Sequence, residues 1–465
     1  MGMARSSHWT PGALPAGKPA YLAIADAIAD DIREGRLTAD GQLPPQRQLA
    51  DAMGLNFSTI SRAYNEAQRR GLIEARVGQG TFVRAAAAHR VAARSAGAPA
   101  IDMSMNLPPE PDDPELLRAM ESTFRRLPAD LRSLLRYQPF GGTTEDREAA
   151  LKWLARRGIT PKLDQTLVCA GTHSVLDALF WMLAGPGGRI CCDTLTYSGA
   201  RLVAAVRGIE LQGLAADLDG VLPEALERAC RESKPAAFYC NPTLQNPTAV
   251  TQSLARRQAL VEIARRHALP IIEDDVYGLL PEHPPPAFAQ LAPDLTFYVS
   301  GLSKTLGAGL RLAFLVVPDA RAVARVTAVL RATSVMASPI SAAVATEWIN
   351  NGTASDLVAF VRAESRARQR IAAAALSGAR FSASPDGFHL WLTLPEGFSR
   401  VGFAANLRES GVGVVTSDAF CVGATPVEAV RICLGGTSSR DQVRRAFEIV
   451  AATLSGSPAM YSMVV

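Results

Sequence analysis

Residues 299–311 have the sequence VSGLSKTLGAGLR and continue an apolar run, TFY, that comes directly before them. The apolar run predicts a short buried strand, and the glycines after it predict a turn. Lys304 therefore lies just past the end of a strand, between Ser303 and Thr305, with Arg311 seven positions further along the chain. A lysine in this setting can form an imine with an aldehyde, and the arginine can bind an anionic group nearby.

This stretch belongs to a series of short apolar strands that alternate with helical segments from Ile101 onward. The strand-like segments are TLVCAG, GRICCD, AAFYCN, PIIEDD, TFYVSG and LAFLVV, and SVLDALFWML is a helix between the first two. Short apolar strands between helices are typical of a mostly parallel sheet that is buried on both faces. We therefore expect an α/β fold from Ile101 to the C-terminal end.

The composition sets limits on the class of protein. A chain of 465 residues has room for more than one domain, and 48% hydrophobic with 20% charged residues is ordinary for a globular protein. A run of about 18 apolar residues, as a membrane span needs, is absent, and the N-terminal stretch lacks the apolar core of a secretory signal. Seven scattered cysteines without a CxxC pair form neither a disulfide framework nor a zinc site. We expect no metal, no membrane partner and a reducing cytoplasm.

The positive charge is concentrated at the N-terminal end. Residues 1–100 contain 12 Lys and Arg against 8 Asp and Glu, whereas the other 365 residues contain 36 of each sign. Such an asymmetry is expected if the N-terminal end meets a polyanion. Charge alone fits an ordinary solvated surface equally well.

The same N-terminal end predicts two short helices joined by a turn. In LPPQRQLADAMG the prolines precede a helix over residues 46–53, and Gly54 ends that helix. After a short turn, Ser58 or Thr59 is expected to cap a second helix. Two helices joined in this way form a helix-turn-helix.

The second helix would expose side chains that can contact bases and phosphates, namely Ser58, Thr59, Ser61, Arg62 and Asn65. LIEARVGQGTFV then predicts a strand, a glycine turn and a strand, in which Gly78 and Gly80 would let a β-wing approach DNA closely. A helical hairpin that only packs is the alternative. The ordered set of helices, turn, wing and basic charge favours DNA binding.

The α/β region contains a candidate for each requirement of pyridoxal phosphate (PLP). PLP needs a lysine for its aldehyde, a carboxylate for its ring nitrogen, donors for its phenolic oxygen, an anion site for its phosphate and an aromatic ring over its face. The candidates are Lys304 for the aldehyde, Asp274 for the ring nitrogen, Asn246 and Tyr277 for the phenolic oxygen, Tyr197 for the ring face, and Gly171, Thr172, His173, Ser303 and Arg311 for the phosphate. Arg431 can bind a ligand carboxylate. Each residue alone also suits a turn, a cap or a surface; their joint order favours PLP.

From Leu43 to Val83 the chain resembles the winged helix-turn-helix of the GntR family of transcription regulators. The stretch LPPQRQLADAMGLNFSTISRAYNEAQRRGLIEARVGQGTFV matches that family's pattern through most of its length. The resemblance implies that four residues contact DNA: Arg47, Thr59, Arg62 and Gly80. Asn56 and Phe57 fill variable positions, which in this family help to set the operator sequence.

The segments QNPT, EDDVYG and SGLSKTLGAGLR, in this order, resemble the signature of fold-type I, class I and II aminotransferases. That resemblance implies PLP held by Lys304, and a small C-terminal α/β subdomain beside the mostly parallel sheet. Three residues depart from the family's pattern. Ala249 and Ala313 each stand where the family has Gly, and Gly301 stands where it has Ser or Thr. Gly301 lacks the hydroxyl that would contact the phosphate, so the other residues predicted for the phosphate must supply more of its contacts.

A GntR-type winged helix joined to an aminotransferase-like domain describes the MocR subfamily, and the whole chain resembles it. We expect a DNA-binding domain over residues 18–84, a linker over 85–100 and a PLP-binding domain over 101–465. The resemblance implies a homodimer that binds operator DNA and senses an amino acid or amine as an external aldimine, with Arg431 on any carboxylate. Two alternatives stay open on these residues: an active aminotransferase, and a regulator that senses PLP itself.

Overall fold

The chain is described by a computed structural model over residues 9–12, 19–33, 36–37, 41–69, 72–76, 80–83, 101–126, 131–423 and 425–456. It divides into two compact units, residues 1–100 and 101–465. The predicted linker 85–100 and the predicted wing residue Gly78 lie outside the described residues.

The N-terminal unit combines three helices with a small antiparallel sheet. Its described elements are α1 (Ala20–Arg33), β1 (Gln42–Leu43), α2 (Gln46–Met53), α3 (Phe57–Arg69), β2 (Ile73–Arg76) and β3 (Gly80–Val83). The strands pair in the order β1-β3-β2, and both pairings are antiparallel. This is the predicted winged helix-turn-helix.

Apolar side chains at helical spacing hold this unit together. Ile24, Ile28 and Ile32 form one face of α1 and are buried with Ile60 and Tyr64 of α3 in a common core. The Tyr64 hydroxyl donates to the Pro44 carbonyl over 2.7 Å and so ties α3 to the entry of α2.

The turn between α2 and α3 follows the prediction at one end and departs from it at the other. Gly54 has a φ of 62° and donates to backbone carbonyls of the last turn of α2, as expected of a helix-ending glycine. The expected cap at Ser58 or Thr59 is wrong, because α3 already begins at Phe57 and both residues lie inside its first turn. The amide of Thr59 donates to the Asn56 carbonyl over 2.9 Å, so Asn56 precedes the helix.

The large unit alternates strands and helices through most of its length. Its described strands are β4 (Ile101–Asp102), β5 (Thr166–Cys169), β6 (Arg189–Asp193), β7 (Glu210–Leu214), β8 (Ala216–Asp217), β9 (Gly220–Val221), β10 (Ala237–Cys240), β11 (Ile271–Asp274), β12 (Thr296–Gly301), β13 (Ala313–Val316), β14 (Phe381–Ala383), β15 (His389–Thr393), β16 (Val412–Gly413), β17 (Val415–Thr416) and β18 (Ala429–Cys433).

Its described helices are α4 (Pro114–Arg126), α5 (Leu131–Leu134), α6 (Thr144–Ala155), α7 (Thr172–Leu183), α8 (Ser198–Arg207), α9 (Pro223–Glu232), α10 (Leu254–Arg266), α11 (Phe288–Leu291), α12 (Ala320–Thr333), α13 (Pro339–Asn351), α14 (Thr353–Ala375), α15 (Arg400–Glu409) and α16 (Arg440–Ser455).

In the described part of this unit, seven strands form one sheet in the order β5-β13-β12-β11-β10-β6-β7. The pairings are parallel except for those of β13, which runs antiparallel to β12 and β5. The apolar strands are buried because helices cover the sheet. The mostly parallel α/β sheet is therefore confirmed.

The C-terminal part forms the predicted smaller α/β subdomain. Strands β14, β15, β18 and β17 pair in this order as an antiparallel sheet, and β16 pairs in parallel with β4 at the start of the unit. Apolar residues of α15 and α16 pack on this sheet in a core of their own. None of the described helices is long and apolar enough to cross a membrane.

Candidate functional site

A cavity of about 350 Å³ lies in the large unit, at the carboxyl ends of β5, β11 and β12. Open α/β sheets bind their ligands at this edge. The structure brings all of the residues that were predicted for the cofactor and its ligand to the wall of this one cavity: Gly171, Thr172, His173, Tyr197, Asn246, Asp274, Tyr277, Ser303, Lys304, Arg311 and Arg431.

Lys304 reaches the cavity because β12 ends at Gly301 and a single 3-10 turn follows over Leu302–Lys304. Its amine donates a hydrogen bond to the backbone carbonyl of Asn106. Burial lowers the pKa of Lys304 to about 8. A substantial fraction of this amine is therefore neutral near physiological pH and able to attack a carbonyl carbon.

Asp274 ends β11 and is completely buried. Its Oδ2 accepts from the Tyr239 hydroxyl over 2.9 Å, and its backbone carbonyl accepts from the Asn241 amide over 2.5 Å. Oδ1 is buried without a hydrogen-bond partner among the described residues. Burial raises the pKa of this carboxyl group to about 7. A protonated ring nitrogen would supply the missing donor and favour the charged carboxylate.

Tyr277 and Asn246 can each donate a hydrogen bond to a ligand oxygen in the cavity that Asp274 and Lys304 also line. The Tyr277 hydroxyl accepts from the Asn106 side-chain amide over 2.9 Å, which leaves its own proton to donate. The Asn246 amide oxygen accepts from Arg431 over 2.7 Å, which assigns the amide nitrogen as a donor. Both residues are thus held in orientations that suit the phenolic oxygen of PLP.

A candidate anion site lies at the start of α7. Gly171 precedes that helix with a φ of 87°, and a side chain there would come within 3.5 Å of Arg311. Arg311 itself has a left-handed backbone, with a φ of 52°. The free amides of the helix start and the guanidinium therefore converge as an anion site. The Thr172 hydroxyl is buried there without a partner among the described residues.

Gly301 faces that hydroxyl. A Cβ atom at this position would lie 2.3 Å from Thr172 Oγ1 and 2.7 Å from Val276 Cγ1. These separations are too short for any side chain unless its neighbours move. The space that a hydroxyl residue would need at position 301 is therefore occupied by Thr172.

Tyr197 and His173 form a pair at the cavity wall. Tyr197 Oη lies 2.7 Å from His173 Nε2, and the two rings meet edge to face. His173 was predicted for the phosphate site because it belongs to the helix start with its free amides, and its imidazole makes a contact with Tyr197 that was not predicted. Gly199 makes room for the pair, because a Cβ there would lie 2.5 Å from both rings. Burial, then Arg311, lowers the pKa of His173, which favours the neutral ring.

Arg431 lies on β18 and is buried. One terminal nitrogen donates to Asn246 and the other to the Ser104 carbonyl, both over 2.7 Å. Its guanidinium stacks on Phe420, with 4.8 Å to the ring centroid. Two of its five N–H groups are used in this way, and Nε is buried without a partner among the described residues. Donors thus remain for a ligand carboxylate.

The sequence interpretation missed residues that support this site, among them Asn106 and Asn241. Asn106 lies in an irregular segment and contacts Lys304, 198 positions later in the chain, and Tyr277, 171 positions later. No local pattern marks it. Asn241 follows β10 directly and supports Asp274. The rule that located Asp274, a polar residue at the carboxyl end of a buried strand, would have found Asn241 as well.

The arrangement fits PLP by its donor set. It combines a buried amine of lowered pKa, a buried carboxylate with one unpaired oxygen, two oriented donors and an anion site at a helix start. No group of His, Cys, Asp and Glu in the described ranges could hold a metal ion.

The N-terminal unit carries the second candidate site. Arg47 of α2 and Ser58 and Arg62 of α3 are exposed, and Thr59 is half-buried beside them. The Arg62 guanidinium lies 4.5 Å from the centroid of the Tyr21 ring, which supports the long side chain. These residues present one polar and basic surface.

Gly80 begins β3 with a φ of 116°, a conformation that favours glycine. It is exposed at the described edge of the wing, as the predicted approach to DNA requires.

Two protein families match the two units. The aminotransferase class I and II family matches residues 98–450, and the gntR family of bacterial regulatory proteins matches residues 20–83. These matches agree with the two compact units of the structure.

Similar proteins include several transcription regulators. The HTH-type transcriptional regulator YdeF of Bacillus subtilis is 30% identical over 96% of either chain. The vitamin B6 salvage pathway transcriptional repressor PtsJ of Salmonella typhimurium is 28% identical over 88% of this chain and 93% of its own. The probable rhizopine catabolism regulatory protein MocR of Rhizobium meliloti is 29% identical over 64% and 66%, respectively.

Among solved structures, LysN, an α-aminoadipate aminotransferase from Thermus thermophilus, is similar with a TM-score of 0.70. The identity is 22%, over 86% of this chain and 100% of that one. This similarity establishes the fold of the large unit.

Proposed function

Because this chain belongs to the MocR subfamily of GntR-family transcription regulators, we propose that it binds operator DNA through α2 and α3 and responds to an amino acid or amine at a PLP site. One observation carries the proposal: the residues predicted to bind PLP all line one cavity, in a chain that also contains a helix-turn-helix. A metabolic aminotransferase has no use for the second unit.

When bound, PLP supplies an aldehyde carbon that Lys304 or the amino group of a ligand can attack. Lys304 provides the resident amine, and its lowered pKa makes the neutral form accessible. Asp274 would hold a proton at the ring nitrogen, and Tyr277 and Asn246 would donate to the phenolic oxygen. Arg431 selects for a carboxylate beside the amino group.

The contacts of the segment 104–106 suggest how the site would act on the rest of the chain. Arg431 donates to the carbonyl of Ser104, and Lys304 donates to the carbonyl of Asn106. A ligand that engages Arg431 and changes the bonding state of Lys304 alters both contacts. The segment begins soon after the predicted linker 85–100, so the proposed signal travels along the backbone toward the DNA-binding unit.

Such a switch works only if effector and operator prefer different states, and the coupling must then be reciprocal. The factor by which an effector changes operator affinity should equal the factor by which operator DNA changes effector affinity.

Lys304→Ala tests the proposal. The protein loaded with PLP should show an absorbance band near the visible edge, and this variant should lose both the band and the effect of amino compounds on operator binding. Lys152→Ala, which removes an exposed lysine, serves as the control and should keep both. A Lys304→Ala protein with a normal effector response would refute the mechanism.

One relative favours a second candidate function. PtsJ is named as a repressor of vitamin B6 salvage, so a sensor of PLP itself is the alternative for this chain. Operator binding that depends on PLP and ignores every amine and amino acid would favour that alternative. Sustained turnover of an amino donor with a keto acid at ordinary enzyme rates would instead identify an active aminotransferase.

We further propose that the protein is a homodimer of the cytoplasm, where operator DNA lies. The segment that includes α4 and α5 exposes large apolar side chains, which a second copy of the chain would cover. The cysteines of the described residues are all free and buried, as suits a reducing compartment.

A further inference from the structure

The outer face of α3 contains one residue of an unexpected type. Phe57, the first residue of the helix, is 50% exposed, although the core of the unit is closed by other side chains. The remaining exposed residues of α3 are polar: Ser58, Arg62, Asn65, Gln68 and Arg69. An aromatic ring left half in water gives up much of the free energy that its burial would provide. Packing within the unit therefore does not explain why an aromatic residue occupies position 57.

The ring of Phe57 has a defined neighbour. The Arg47 guanidinium of α2 lies 6.0 Å from its centroid, at the outer limit of a cation–π contact. Arg47 is itself an exposed residue of the surface that we assign to DNA. The two side chains thus form a mixed patch of one apolar and one basic group where α2 and α3 meet.

In helix-turn-helix proteins, the first residues of the second helix contact base edges in the major groove. A phenyl ring has no group that could hydrogen-bond to those edges. The one apolar group that bases present in the major groove is the C5 methyl of thymine. We propose that Phe57 selects a thymine in each operator half-site by packing its ring against this methyl, while Arg47 contacts an adjacent phosphate.

This inference rests on the proposed operator binding, and the experiment separates the two. Full-length wild-type protein and Phe57→Ala are each used to select sequences from a random duplex library. In the selected wild-type site, each thymine is then replaced singly by deoxyuridine, which removes only the methyl group. Operator affinity is measured at one fixed salt concentration, because phosphate contacts depend on salt.

At one thymine per half-site, deoxyuridine should weaken wild-type binding about fourfold, as expected for one methyl group removed from a contact. Phe57→Ala should bind the thymine and deoxyuridine sites equally and should lose the preference in its own selection. Gln68→Ala, a change at an exposed residue near the other end of α3, should keep the wild-type ratio.

Three results would overturn the inference. The first is wild-type binding that no thymine methyl affects, and the second is a Phe57→Ala protein that keeps the wild-type ratio. The third is selection of no sequence by either protein, and this result alone would also overturn operator binding. Equal affinity of wild type and Phe57→Ala for random DNA at low salt shows that the variant is folded.

Discussion

At the scale of single residues, Lys304 decides when the site can capture an aldehyde. Only the neutral amine attacks a carbonyl carbon, and burial lowers the pKa of Lys304 to about 8. The neutral fraction therefore falls about tenfold per pH unit below that value. We expect the rate of PLP capture, measured by stopped-flow absorbance, to rise up to about pH 8 and then level off. A rate that keeps rising to pH 10 would show an ordinary lysine.

Gly301 provides a second prediction at this scale. A Cβ there would collide with Thr172 Oγ1, so Gly301→Ser should displace the phosphate end of the site although it restores the hydroxyl of the family's pattern. Overpacking of this kind costs about 1–3 kcal/mol. We expect the dissociation constant for PLP, measured by fluorescence titration, to rise at least about fivefold.

Two further variants distinguish crowding from chemistry at this position. Gly301→Ala should weaken PLP binding as much as Gly301→Ser, because the Cβ is the cause. The double variant Gly301→Ser with Thr172→Ala should bind more tightly than Gly301→Ser alone, since the nearer of the two colliding atoms, Thr172 Oγ1, is gone. Unchanged affinity in Gly301→Ser would contradict this account.

The sequence predicted which residues line the cavity better than it predicted the hydrogen bonds between them. Lys304 and Asp274 could be located because strand ends mark the ligand edge of an α/β sheet. Asn106 could not, because its place beside Lys304 depends on tertiary packing across nearly 200 residues. The pairing of His173 with Tyr197 was missed for the same reason, since a side-chain contact between two helix starts leaves no trace in either local sequence.

At the scale of elements, the apolar strands of the large sheet were predicted because β-strands buried on both faces are apolar throughout. The edge strand β7 was missed, as its sequence ELQGL lacks that continuous apolar character. The antiparallel course of β13 was also not predicted, because strand direction follows from the connection and not from composition. The expected cap of α3 was wrong by two to three residues, because Asn56 and not Ser58 or Thr59 precedes the helix.

Gly54 gives the prediction that belongs to this scale. Its φ of 62° ends α2, and a Cβ there would meet no atom of the described residues within 4 Å, so only backbone strain opposes a side chain. Gly54→Ala should lower the free energy of opening of the α2–α3 region by about 1 kcal/mol. Hydrogen exchange on the full chain measures this quantity for peptides within residues 46–69.

Gly54→Asn is the matched control, because asparagine tolerates the left-handed conformation better than alanine. Its amides should exchange more slowly than those of Gly54→Ala. Equal exchange in the wild type and Gly54→Ala would show that α2 does not depend on this turn.

At the scale of the whole molecule, the two units, to which we assign different functions, differ in net charge. The N-terminal 100 residues have a net charge of +4, and the larger remainder is neutral. A basic unit attracts DNA at long range, while a neutral partner unit adds no competing field. Lys304 then belongs to the unit that we propose binds small ligands, and Phe57 to the unit that we propose binds the operator.

A further prediction at this scale concerns the proposed homodimer. Leu135 and Tyr137 follow α5 and are 70% and 83% exposed, which leaves a large apolar surface in water if the chain is a monomer. A charge placed in such an interface is costly because it is desolvated without a partner. Leu135→Glu should therefore shift the dimer toward monomer, with a dimer dissociation constant at least about tenfold higher by sedimentation equilibrium. Leu202→Glu, at a leucine of α8 that is 64% exposed, should leave the dimer intact. A Leu135→Glu protein that remains as dimeric as Leu202→Glu would show that the segment after α5 is not the contact between subunits.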